Sequence, residues 1–161
     1  MRGLLSWGGW VVLTGVAAAA GAVASRSAAG FYAALDRPAW APPAWLFGPV
    51  WTMLYLAMAT AAWLVSRAEV GPGGGSRGGA LALYVVQLVA NALWTWLFFA
   101  LRRGAWAFGE VLVLLALVAL TLVAFWRVRP LAGVLFVPYL VWVGFATALT
   151  WAVWRRNPEL L

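Results

Sequence analysis

Five long apolar stretches run along this chain, separated by arginines, glycines and prolines. Each has close to the ~20 residues with which an α-helix crosses about 30 Å of hydrocarbon. The stretches are too long and too continuous for the strands of a membrane β-barrel. The pattern predicts an all-α, multi-pass integral membrane protein. The predicted fold is a five-transmembrane-helix bundle in a single domain over 1–161. Its spans lie at approximately 4–25, 47–66, 80–101, 106–126 and 131–154.

The first apolar stretch also has features of a secretory signal peptide. Arg2 precedes an alanine-rich run, and Ala22-Val23-Ala24 fits an A-x-A cleavage site. The run is long for the apolar region of a signal peptide, and it can serve as the start of the four spans that follow. We therefore expect a retained first helix, and the cleaved form is the alternative.

The connecting segments differ in kind. The segment Arg67–Gly79 is rich in glycine and predicts a flexible surface loop. The first loop, residues 26–46, instead interleaves prolines with aromatic residues. Because proline restricts the backbone and aromatic rings supply apolar contact, we expect a structured first loop that folds over an internal pocket.

Composition and charge agree with a membrane location. The chain is 66% hydrophobic and 9% charged, whereas soluble domains are about 25% charged. Eleven basic residues against four acids give a net charge of +7. The basic residues stand between the apolar stretches, so we expect them to bind lipid headgroups and expect no nucleic-acid partner.

The absence of histidine and cysteine excludes several kinds of chemistry. Ordinary zinc sites, Ser-His-Asp triads and cysteine nucleophiles all need one of these residues. The four acids are scattered, so their spacing supports neither a carboxylate pair nor a metal site. We expect no metal and no required cofactor.

Tryptophan is unusually abundant, with 13 residues. Those near span ends fit an aromatic belt at the headgroup level. Trp51 and Tyr55 share one helix face, as do Gln87, Asn91 and Trp94, and polar side chains in hydrocarbon need partners inside a bundle. Two interpretations remain open: interhelical hydrogen bonds with aromatic packing, or a pocket for a flat, apolar ligand.

Glu110 is the one acid inside a predicted span. Intramembrane acids are candidates for function. Arg102 and Arg103 are close in sequence, so we expect them to pair with Glu110 and neutralise it.

Three segments carry a resemblance to a known family. Residues 31–55 read FYAALDRPAWAPPAWLFGPVWTMLY, and further matches lie in Gln87–Trp94 and Pro138–Leu149. Together they resemble the TspO/MBR family, which includes the translocator proteins. The resemblance covers nearly the whole chain and implies a five-helix bundle with a pocket beneath the first loop.

The resemblance implies a binding site for porphyrins and other flat lipophilic molecules. The family's pocket positions fall on Trp51, Asn91, Trp142 and Ala146, with Tyr55, Trp94 and Phe98 as further lining, and Trp40 and Trp45 in the lid. We therefore expect a tetrapyrrole-binding membrane protein in porphyrin-linked sensing or regulation. Some members are described as light- and oxygen-dependent porphyrin-degrading enzymes, for which Trp51 and Trp142 are the candidate catalytic residues here. The alternative is transport of porphyrins or other lipophilic ligands, such as sterols, across the membrane.

Two departures from the family pattern bear on partners. Trp151 replaces a tyrosine of the family's sterol-recognition segment, which weakens the expectation of sterol binding. The small-residue pattern that some members use for dimerisation becomes Ala82 and Val86, and valine hinders close backbone approach. A homodimer is left open.

Overall fold

A computed structural model describes residues 2–69 and 75–161, with side chains from Trp7 onward. The described residues form helices and no β-strand: α1 Arg2–Ala24, α2 Ala28–Ala34, α3 Phe47–Ser66, α4 Arg77–Thr95, α5 Gly104–Val128 and α6 Pro130–Arg156. All of these except the short α2 are long and apolar enough to cross a membrane. The structure confirms an all-α, multi-pass integral membrane protein of five spans.

Local sequence explains where the spans begin. The Ser76 hydroxyl accepts a hydrogen bond from the Gly79 N–H at 3.1 Å, which caps α4. Pro130 opens α6 at a position where no N–H is needed. Helix α3 tolerates Pro49 because the N–H groups of a first turn have no partner within the helix, and Gly48 lacks the Cβ that adds to the clash with a following proline.

The end of the third span differs from the prediction. The α-helix ends at Thr95, and one π-helical turn, Trp96–Ala100, continues it. Arg102 follows with a φ of 51°, in the left-handed region. This conformation brings the Arg102 guanidinium over the Phe31 ring, with Cζ 4.9 Å from the ring centroid.

The five spanning helices close into a ring in the order α1, α3, α6, α5 and α4. On the side of the second loop, the ring is filled by fully buried aromatic residues. Tyr84 stacks on Phe125 with centroids 5.8 Å apart, and Phe125 meets Phe136 at 5.0 Å. These rings pack the interior at one end, so open space in the bundle lies at the end of the first loop.

The first loop is ordered, as predicted. It contains α2 and one 3₁₀ turn, Ala44–Leu46, and the Tyr32 hydroxyl donates to the Pro42 carbonyl at 2.8 Å. Within the predicted glycine-rich loop Arg67–Gly79, residues 70–74 lie outside the described residues, and α4 begins earlier than predicted, at Arg77.

Replacing Gly133 by alanine is expected to destabilise the bundle by about 2 kcal/mol. A Cβ at Gly133 would lie 2.9 Å from Trp126 Cα and 2.8 Å from Trp126 Cβ. Backbone cannot yield cheaply, so α5 and α6 would have to separate. The measurement is the thermal unfolding midpoint of the purified protein in detergent.

Gly144 on the same helix is the matched control. A Cβ there meets no heavy atom within 4 Å, so Gly144→Ala should leave the midpoint unchanged or raise it through better helix propensity. Equal midpoints for the two variants would contradict close packing of α5 on α6 at Gly133.

Candidate functional site

A cavity of about 490 Å³ lies between α1, α3 and α4, beside α2 and the turn before α3. Small-molecule sites have volumes of about 300–1,000 Å³. Small residues line the cavity from α1, the turn after it and α2: Ala18, Gly21, Ala22, Ser25, Ala28 and Ala29. The first loop, α3, α4 and the π-helical turn contribute aromatic residues, Tyr32, Phe47, Trp51, Tyr55, Trp94 and Phe99.

The cavity opens between α1 and α3. Five of its lining residues are exposed: Ala22 on α1, Ala29 on α2, Ala44 in the turn before α3, and Gly48 and Thr52 on α3. The opening is therefore bordered by the first loop as well as by the ends of α1 and α3 nearest to it. A lipophilic molecule could therefore reach the cavity from the side of the bundle.

The cavity wall is apolar with a few satisfied hydroxyl groups. Among the described residues that line it, none is ionised. The hydroxyls of Ser25, Thr52 and Thr95 each donate to a carbonyl one turn earlier, at 2.9 to 3.0 Å. These groups keep acceptor lone pairs for a ligand. The buried indole N–H of Trp94 has no hydrogen-bond partner.

Tyr32 lines the cavity and also contacts the guanidinium group of Arg37. Burial raises the pKa of the Tyr32 hydroxyl, and the nearby Arg37 partly offsets that shift. The Arg37 guanidinium lies over the Tyr32 ring, with Cζ 4.6 Å from its centroid. The hydroxyl is therefore neutral at physiological pH, and a positive charge stands beside a residue of the wall.

Trp51 is held by two tyrosines. Its ring centroid is 5.4 Å from that of Tyr55 and 6.2 Å from that of Tyr139 on α6. The two phenols belong to one buried network, in which Tyr55 donates to Asn91 Oδ1 at 2.9 Å and Asn91 Nδ2 donates to the Tyr139 oxygen at 3.2 Å. Tyr139 in turn donates to Gln87 Oε1 at 3.0 Å. The network fixes the aromatic wall across α3, α4 and α6.

Comparison with known proteins agrees with the sequence motifs. The profile of the TspO/MBR family matches residues 10–155. The chain belongs to the TspO/MBR family. It is 42% identical over 152 residues to the tryptophan-rich sensory protein of Cereibacter sphaeroides, covering 92% of each protein. It is also 42% identical over 127 residues to the human translocator protein, covering 79% of this chain and 75% of that protein.

The structure brings only part of the predicted TspO/MBR site to this cavity. Trp51, Tyr55 and Trp94 line it. Asn91 is buried behind Tyr55, one hydrogen bond away, and Phe98 stacks on Trp94 with centroids 5.8 Å apart. Trp51, Tyr55 and Asn91 form one connected set, and Trp94 and Phe98 form a second set at the same cavity.

The other predicted TspO/MBR residues lie apart from this cavity. Trp142 contacts Phe47 and Phe145, at 5.9 and 5.5 Å between centroids, and Ala146 is buried on the same helix. Trp40 packs on Phe145, whereas Trp45 is 71% exposed. Ligand contact by these residues stays a prediction.

Several lining residues were missed by the sequence analysis. Tyr32 and Phe47 stood inside the recognised TspO/MBR segment without an assigned role. Ala18 and Ala22 of α1 and Ser25 directly after it recur at i, i+4 and i+7, so their small side chains share one face. This spacing could have identified these three lining residues from the sequence.

The expected pairing of Glu110 is wrong. Its Oε2 atom is buried without a hydrogen-bond partner. Arg102 lies over Phe31 instead, and within residues 2–69 and 75–161 neither Arg102 nor Arg103 forms a salt bridge to Glu110. The left-handed backbone at Arg102 turns its guanidinium toward the first loop and away from α5.

Proposed function

We propose that this TspO/MBR protein binds a tetrapyrrole or a similarly flat lipophilic molecule in the cavity between α1, α3 and α4, and acts in porphyrin-linked sensing. The observation that carries the proposal is the wall itself. Trp51 and Tyr55 of α3 and Trp94 of α4 line a space of about 490 Å³. Aromatic rings that pack on a ligand contribute about 0.5–1.5 kcal/mol each beyond area burial.

The charges around the cavity fit an amphipathic ligand. The uncharged lining favours a neutral macrocycle. Arg37 lies over Tyr32, and Arg26 directly follows the lining residue Ser25. Acidic side groups of a porphyrin could pair with these guanidinium groups while the ring occupies the cavity.

The lack of strong iron ligands favours a metal-free macrocycle. The chain has no histidine or cysteine to serve as a strong axial ligand for iron. The two tyrosine hydroxyls in the wall already donate within the protein, to Pro42 and Asn91. Light-dependent degradation of the bound porphyrin, with dioxygen as co-reactant and Trp51 as electron donor, is the catalytic form of this proposal.

Transport is the alternative, and it requires an exit for the ligand at the other end of the bundle. Tyr84, Phe125 and Phe136 fill that end, which favours a binding site with one opening.

Titration of the purified protein with protoporphyrin IX tests the proposal. We expect saturable quenching of tryptophan fluorescence in the dark, because the ligand would lie against Trp51 and Trp94. Illumination in air then separates sensor from enzyme, since only an enzyme bleaches the ligand faster than protein-free detergent does. Absence of saturable quenching would refute the binding function.

A further inference from the structure

The side chain of Asn157 ties the end of α6 to the first loop. Its Oδ1 accepts a hydrogen bond from the backbone N–H of Asp36 at 2.8 Å, and its Nδ2 donates to the backbone carbonyl of Asp36 at 3.0 Å. Nδ2 also donates to the Val153 carbonyl at 2.8 Å. One amide thus pairs with both polar groups of a single loop residue and caps α6.

The Asn157 side of this contact is shielded from water. Asn157 is 7% exposed and Leu35, beside Asp36, is 5% exposed, whereas the Asp36 side chain is 66% exposed. A buried polar group that loses its partner is destabilised by its own desolvation. The closed arrangement of the first loop is therefore favoured as long as the Asn157 amide is intact.

A second link beside it is much weaker. Arg156 Nη1 lies 3.5 Å from Asp36 Oδ1, but the two side chains are 47% and 66% exposed. Exposed ion pairs add little because water and salt screen them. The hold on the loop comes from the Asn157 amide.

The tethered residue lies between the two parts of the first loop that form the cavity wall. Tyr32, together with Ala28 and Ala29 of α2, precedes Asp36, and Ala44 follows it. The Tyr32–Pro42 hydrogen bond joins the two parts across the turn. Holding residue 36 therefore holds both parts against the end of α6.

We propose that Asn157 is a positioning residue that latches the first loop over the cavity and sets the rate at which a ligand enters and leaves. The effect on the ligand rests on the proposed function, whereas the effect on the loop does not. Breaking the latch lets the α2 side of the wall move away from α3 and α4, and the ring contacts made by Tyr32 are lost with it.

Amide hydrogen exchange of the ligand-free protein in nanodiscs tests the latch directly. In Asn157→Ala, exchange at Asp36 and across residues 28–46 should be about tenfold faster, since two hydrogen bonds to the loop are gone. Asn157→Asp should have a larger effect, because a carboxylate oxygen then faces the carbonyls of Asp36 and Val153. The control, Arg156→Gln, removes only the exposed ion pair and should change exchange less than twofold.

Stopped-flow release of protoporphyrin IX tests the consequence. Dissociation should be about tenfold faster in Asn157→Ala than in the parent, with the thermal unfolding midpoint nearly unchanged. Unchanged loop exchange in both Asn157 variants would overturn the latch, and so would a uniform increase over all spans, which indicates general destabilisation. If the parent binds no porphyrin, the proposed function fails, and the exchange data still decide the latch.

Discussion

Replacing Ala22 by phenylalanine is expected to lower the affinity for protoporphyrin IX at least tenfold. Ala22 lines the cavity and is exposed at its opening. A benzyl side chain there occupies the space that the macrocycle needs, and overlap with a rigid ligand cannot be relieved by small shifts. Thr52→Phe, on the α3 side of the same opening, should have the same effect. Fluorescence titration in the dark measures both.

Ala19 provides the matched control. It lies on α1, it is exposed, and it does not line the cavity. Ala19→Phe adds the same side chain to the same helix and should bind the porphyrin like the parent. If Ala22→Phe and Thr52→Phe both retain parental affinity, the ligand does not occupy the space between α1 and α3.

Replacing Trp51 by phenylalanine is expected to slow light-dependent loss of the porphyrin at least tenfold while affinity falls only about fivefold. A phenylalanine ring still packs on the macrocycle, and the difference in ring contact is about 1 kcal/mol. Phenylalanine is much harder to oxidise than indole. It cannot readily give an electron to the excited porphyrin. That step would leave an indole radical cation and a porphyrin radical anion to which dioxygen adds, and the oxygenated macrocycle would then return one electron to the indole.

Trp142→Phe tests whether a tryptophan must contact the bound porphyrin or need only lie near it to take part in bleaching. Trp142 does not line this cavity and meets it through Phe47, 5.9 Å away between centroids. Its replacement should slow bleaching less than replacement of Trp51. An equal loss would place the bound porphyrin against α6 as well. Bleaching at the parental rate in Trp51→Phe would remove the enzymatic form of the proposal and leave binding untouched.

The spans and the family could be predicted from the sequence because both depend on local runs of residues. The predicted second span, 47–66, coincides with α3, Phe47–Ser66. The fourth and fifth differ from α5 and α6 by one or two residues at each end. Hydrocarbon thickness sets the length of an apolar run, and charged residues are rarely placed inside lipid. The limits of the spans can therefore be predicted from the sequence. The prolines and aromatic residues of the first loop likewise predicted that it is structured.

The position of the cavity was decided by tertiary structure. In a membrane bundle both the lipid-facing and the buried sides of a helix are apolar, so hydrophobic periodicity does not reveal which face meets which neighbour. The resemblance to the TspO/MBR family grouped Trp51 with Trp142 and Asn91, and their contact with one ligand stays a prediction. Packing places Trp51 opposite the small residues of α1 and Asn91 behind Tyr55.

The partners of single polar groups depended on the fold for the same reason. Sequence proximity suggested Arg102 and Arg103 for Glu110, but a left-handed residue after a π-helical turn directs Arg102 to Phe31. Asn157 and Asp36 are separated by 121 positions, and nothing in either local sequence indicates their contact. Composition and span length determined that this is a five-helix membrane protein, and the motifs at 31–55, Gln87–Trp94 and Pro138–Leu149 identified the TspO/MBR family. The rotation of each helix about its axis and the conformation of the turns between helices are set only when the bundle packs. They decided where the cavity lies and which contact holds the first loop over it.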